Sequence, residues 1–174
     1  MTPTRPTQII IHRETFEAPE VEAITGIAQV VMRDWRRRGL LKTKMVGRRG
    51  VFGALDIGYL ITLRDLTAQG VAVGDAVIAA GAAAPLVETF AEIASCAKED
   101  APFVGLHGSR LARFLIVARD GDIVRAGRVE EWIAQRDKEG KTASCIVIDC
   151  KSLGEEIARL APRQVVIVER RAAE

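Results

Sequence analysis

Residues 16–41 read FEAPEVEAITGIAQVVMRDWRRRGLL, two short helical patterns that meet at a glycine. Pro19 suits the first helical position, where no backbone N–H is needed. Val21 and Ile24 follow at helical spacing and face one core. Thr25-Gly26 interrupts the pattern, Ile27 re-enters it, and Met32 and Trp35 continue on a shared inner face. Gly39 stands just past the second helix, where a left-handed cap costs least without a Cβ. Leu40 and Leu41 then turn back to the core. A helix, a tight glycine turn and a second helix make a helix-turn-helix unit.

The second helix opens a basic run. Arg33, Arg36, Arg37, Arg38, Lys42, Lys44, Arg48 and Arg49 are opposed only by Asp34, although the net charge of all 174 residues is only +2. Clustering of this kind, rather than net charge, is the footprint of a nucleic-acid binder. A solvated face is the usual alternative for a charge run; inside a helix-turn-helix the nucleic-acid reading is preferred. Gly47 and Gly50 lie between short extended pieces and predict a hairpin with a basic tip. Such a hairpin lies along a phosphate backbone, where Lys and Arg give affinity without sequence information.

These residues resemble the N-terminal domain of the MerR family of bacterial transcription regulators. The resemblance rests on Phe16, Glu20-Val21, Ile24-Thr25-Gly26-Ile27, Arg33, Trp35 and Arg37-Arg38-Gly39-Leu40-Leu41, in place without a gap. It continues through Arg49-Gly50-Val51-Phe52, Asp56-Ile57, Leu63, Leu66, Gly70 and Val73, and so covers residues 16–79. It implies a winged helix-turn-helix that binds a pseudo-palindromic promoter or operator as a homodimer, with RNA polymerase as a further partner. The residues expected at double-stranded DNA are Gln29, Val30, Arg33, Arg36, Arg37, Lys42, Lys44, Arg48 and Arg49. The chain departs from the family where the recognition helix starts. Ser-Pro-Arg-Thr is replaced by Ala28-Gln29-Val30-Val31, which removes the hydroxyl and the outward Arg. Val30 and Val31 then either meet thymine methyls in the major groove or are buried under another element.

Ile9-Ile10-Ile11 predicts a strand that pairs with the hairpin or with a second subunit. Residues 54–69 predict a helix with Leu55, Leu63 and Leu66 inward, and 73–84 a second helix. A third, over 85–97, carries Leu86, Val87, Phe90 and Ile93, with hinges at 81–85 and 98–102. Asp120-Gly121 between residues 114–117 and 123–124 predicts a hairpin. Residues 129–138 form an amphipathic helix with Val129, Trp132 and Ile133 inward. Ile146-Val147-Ile148 is a buried strand, Ser152 and Glu155 a capping box opening a helix to Leu160, and 164–168 a last strand.

The expected fold class is α+β: a MerR-like winged helix-turn-helix domain over 1–84, a connecting helix and hinge over 85–102, and a small α/β domain over 103–174. The last serves dimerisation, sensing or partner contact. Core residues of the first part are local to it, so a fragment ending near Asp100 is expected to fold alone.

No enzyme activity, cofactor or metal is expected. Cys96, Cys145 and Cys150 are odd in number and lack zinc-site spacing. Cys150 at a strand end before a helix invites a nucleophile reading, but no Arg follows in a phosphate loop and a buried thiol is preferred. His107 and Ser109 lack an acidic partner and read as a polar loop. No signal-like N-terminus and no apolar run long enough to cross a bilayer are read, which gives a cytoplasmic protein without a membrane partner. Two further readings stay open. One is an excisionase-like architectural DNA-binding protein, for which residues 103–174 would have little use. The other is an enzyme or small-ligand sensor in the C-terminal part with a nucleic-acid-binding head.

Overall fold

The structure is a computed structural model that describes the chain apart from residues 1–6, 48, 105–110, 142–143 and 173–174. Arg48, the loop with His107 and Ser109, and the N-terminal tail therefore lie outside the described residues. The fold is α+β. It runs β1 (Thr7–Arg13), β2 (Phe16–Glu17), α1 (Ala18–Thr25), α2 (Gln29–Arg37), β3 (Lys44–Val46), β4 (Arg49–Phe52), α3 (Ala54–Ala68) and α4 (Val73–Ser95). Then come α5 (Ala101–Val104), β5 (Phe114–Ala118), β6 (Ile123–Ala126), α6 (Val129–Lys138), β7 (Cys145–Asp149), α7 (Cys150–Leu160) and β8 (Val166–Ala172).

Among the described residues three antiparallel sheets organise the strands: β1-β8, β2-β4-β3 and β6-β5-β7. The first sheet corrects an expectation. Within the chain β1 pairs not with the hairpin but with β8, from Thr7↔Ala172 to Arg13↔Val166. Local pattern marks a strand and leaves its partner open, and here the partner comes from the far end of the chain.

A second correction concerns α4. It is one helix of 23 residues with Pro85 inside it, so the two helices expected over 73–84 and 85–97 and the hinge at 81–85 are one continuous element. Proline removes one helical N–H donor. The helix continues because Ala76, Ala79, Ala80, Ala83, Leu86, Val87 and Ala91 form one buried stripe across the proline. By length and composition α4 is apolar enough to cross a membrane; 56% of its most apolar window is buried inside this fold, where it serves as a core helix.

That core joins the two ends of the sequence. Phe16, Val21, Ile24, Met32 and Phe52 belong to the same buried cluster as Val87, Leu115, Ile148, Ile157 and Val165. Gly154 lets α7 lie directly on α4: a Cβ there would stand 2.5 Å from the Phe90 Cβ and 2.7 Å from the Ala91 nitrogen. Arg163 adds a polar clamp. It binds the Glu20 carboxylate, donates to the Thr15 carbonyl at 2.6 Å, and lies over the Phe16 ring at 4.6 Å. Glu20 also accepts from the Glu17 N–H at 2.8 Å in the α1 capping box. The Arg163 guanidinium, aided by that N–H, holds the Glu20 carboxyl below its ordinary range.

Two expected inner residues face outward. Leu55 is 42% exposed and Ile133 is 44% exposed. On α6 the buried pair is Trp132 and Arg136, one turn apart. Arg136 is accommodated because it pairs with Asp120 at 2.6 Å and with Asp122 at 3.3 Å, and its guanidinium lies 5.4 Å from the Trp132 ring centroid. The start of α7 also differs from expectation. Asp149, rather than Ser152, is its N-cap and accepts from the Ser152 N–H at 3.2 Å.

Trp35 packs against the core while remaining half-buried. Trp35→Ala should therefore cost about 2 kcal/mol in a urea titration, the scale of one buried apolar side chain. A loss near the ~3–5 kcal/mol of a fully enclosed aromatic would show that the ring is sealed from solvent.

Candidate nucleic-acid interface

α1 and α2 are joined by the three residues 26–28, with Gly26 at φ 69°. The turn is fixed from both sides. Thr25 donates its hydroxyl to the Val21 carbonyl at 2.8 Å and accepts from the Ile27 N–H at 3.2 Å. Arg64 of α3 donates to the Thr25 carbonyl at 2.5 Å, satisfying a group at the end of α1. Ile27 and Met32 are buried on the core side of α2.

The outer side of α2 carries Val30, Arg33 and Arg37, at spacings of three and four residues that stack on one helical face. Val30 is 63% exposed and Val31 37%, so neither is buried under another element. Ala28 gives α2 no side-chain cap. Gln29 donates its amide to the Glu22 carboxylate at 2.8 Å. Arg37 and Arg38 both pair with Asp34, at 2.6 and 2.8 Å. These are exposed pairs worth about 0–1 kcal/mol, and either guanidinium leaves at little cost. Arg33 is exposed and holds no ion pair among the described residues. Arg36 and Arg37 also sit in the last turn, where cations favour the helix dipole.

The β3–β4 hairpin stands beside α2. Arg36 reaches the Met45 sulfur at 3.8 Å, and Gly50 lies under the same guanidinium. A cleft of about 150 Å³ separates the two elements, lined by Arg33, Arg36, Met32, Thr43 and Phe52. The Thr43 hydroxyl is buried there without a hydrogen-bond partner among the described residues. Lys42 and Lys44 are exposed on the hairpin arm. Arg49 is exposed at its end and pairs with Glu17 at 2.9 Å. Gly47, at φ 61°, makes the turn at the tip. Tyr59 of α3 donates to the Leu40 carbonyl at 2.7 Å, fixing the chain between α2 and β3.

No protein-family model matches the chain, and no curated protein sequence matches it significantly.

Of the residues expected at DNA, Val30, Arg33, Arg36, Arg37, Lys42, Lys44 and Arg49 are exposed on α2 or the adjoining hairpin. Gln29 is committed to Glu22, and Arg48 is outside the described residues. Sequence reading missed Glu22, Arg64 and Tyr59 as supports of this surface. Their partners are carbonyls and side chains brought close only by the fold.

The second candidate site, at Asp149 and Cys150, is committed to structure. The Asp149 carboxylate binds Arg113 at 2.7 Å and the Ser152 hydroxyl at 2.9 Å. Burial pushes that carboxyl up, and the Arg113 and Ser152 donors together outweigh it and hold the group below its ordinary range. The Cys150 thiol is fully buried and is pushed up to about 11 by that burial. A thiol so protonated is no nucleophile near neutral pH.

Proposed function

We propose that the chain is a sequence-specific double-stranded DNA-binding protein that regulates transcription in the manner of MerR-like winged helix-turn-helix proteins. The observation that carries this reading is the basic outer surface shared by two adjoining elements, Arg33, Arg36 and Arg37 on α2 and Lys42, Lys44 and Arg49 on the hairpin. α2 is the element to enter a major groove, and the hairpin the one to follow a phosphate backbone. One helix-turn-helix covers one half-site, so a homodimer on a pseudo-palindromic site is the form expected to bind tightly. The buried, protonated Cys150 and the fully engaged Asp149 favour this reading over an enzyme in the C-terminal part.

Titration of duplex DNA at several salt concentrations tests it. Affinity should fall steeply with salt. Arg49→Ala should weaken binding about equally on all sequences and lower the salt slope by about 0.9, the value of one lost phosphate contact. Absence of salt-dependent duplex binding would overturn the proposal. Lost site preference at an unchanged slope would move Arg49 from the backbone to a base edge.

A further inference from the structure

We infer that Val30 recognises the C5-methyl group of a thymine, so that the surface selects duplex DNA with a T·A pair at one fixed position in each half-site. The inference rests on the DNA-binding reading above and deepens it. Four observations carry it. Val30 sits in the first turn of α2, is 63% exposed, and shares its helical face with Arg33 and Arg37. A side chain at this place that is stacked with two guanidinium groups meets whatever they meet. The polar alternatives at the same end of the helix are few: the Ala28 side chain has no polar group, and Gln29 gives one amide N–H to Glu22 at 2.8 Å. Val31 is also apolar and borders the same turn. The start of α2 thus presents methyl groups at Ala28, Val30 and Val31, with the Gln29 amide turned to Glu22.

Base edges in the major groove present hydrogen-bonding groups with one apolar exception, the thymine methyl. A valine facing any other pyrimidine or purine edge leaves that edge's polar groups without a partner. Facing thymine, its γ-methyls remove the C5-methyl from water. The side chain is stiff at χ1, so little rotamer freedom is lost in the contact. Cytosine differs from thymine at this contact by lacking the methyl, and the Val30 contact therefore separates T·A from C·G.

The test uses the full chain. Duplexes that bind are selected from a random-sequence pool, and the tightest is remade with each thymine replaced in turn by deoxyuridine, which removes only the methyl. At fixed salt, one replacement per half-site should weaken the wild-type protein about fourfold, the scale of one buried methyl. The same replacement should change Val30→Ser less than 1.5-fold, and Val30→Ile should keep the full penalty. The position is exposed, so these variants fold; far-ultraviolet circular dichroism checks it. If no thymine replacement weakens the wild type, or if Val30→Ser keeps the penalty, the inference is wrong while salt-dependent binding still supports DNA recognition. If Val30→Ser dissociates a dimer in sedimentation and keeps the penalty, Val30 is a subunit contact and the inference also falls. If no duplex binds in a salt-dependent way, both readings fall together.

Discussion

A fragment of residues 1–100 should fail to hold a native core, the reverse of what local sequence pattern suggests. Removing the remaining residues takes Leu115, Ile148, Ile157 and Val165 out of the buried cluster that contains Phe16, Val21 and Val87. Four such side chains, at roughly 1.5–3 kcal/mol each, match the ~5–15 kcal/mol that holds a typical domain together. β1 also loses its strand partner β8, and Glu20 and Phe16 lose Arg163. In a urea titration followed by circular dichroism and Trp35 fluorescence, the fragment should show no cooperative transition. A sigmoidal transition with a midpoint near that of the full chain would show that residues 1–100 are an independent unit.

Gly154→Ala should be the most damaging single methyl in the molecule. The added Cβ would stand 2.5 Å from the Phe90 Cβ, 2.7 Å from the Ala91 nitrogen and 2.7 Å from the Val87 carbonyl oxygen. Two of these are backbone atoms of α4, which cannot rotate aside as a side chain does. The helices must separate, and the loss should be about 3 kcal/mol, the upper end of overpacking costs. For a chain of this size that lowers Tm by roughly 6–12 °C. Gly81→Ala is the control. It lies within α4 with nothing inside 4 Å of its Cβ position, so it should gain about 0.5–1 kcal/mol from helix propensity alone. Equal melting temperatures for the two variants would mean that α4 and α7 do not approach through Gly154.

The contrast between these two glycines shows what the sequence could and could not reveal. Both sit in helices, and nothing in the neighbouring residues separates the one under a second helix from the one facing solvent. Short-range patterns carried α1, α2 and the hairpin, because Val21, Ile24, Met32 and the Gly47 turn are set by residues a few positions away. The basic surface was legible for the same reason. Pro85 misled, because a local rule for ending helices was overridden by the apolar stripe that continues on both sides. Leu55 and Ile133 were assigned to the wrong face, since a period of 3.6 residues leaves the direction of the core to the packing partners. Arg136 was invisible as a core residue because its acceptors, Asp120 and Asp122, lie across a hairpin. Gln29 kept its place in the candidate site on sequence grounds, and its bond to Glu22 belongs to the geometry of the turn.

The pairing of β1 with β8 has a consequence for how the protein is made. Arg13 leaves the ribosome about 150 residues ahead of its partner Val166. At 5–20 residues per second, the Ile9–Ile11 run waits roughly 8–30 s as an unprotected, β-branched strand of the kind that chaperones hold. The Arg163 clamp on Glu20 and Phe16 arrives just as late. The basic helix is thus among the earliest parts synthesised, and its supporting contacts are among the last to close.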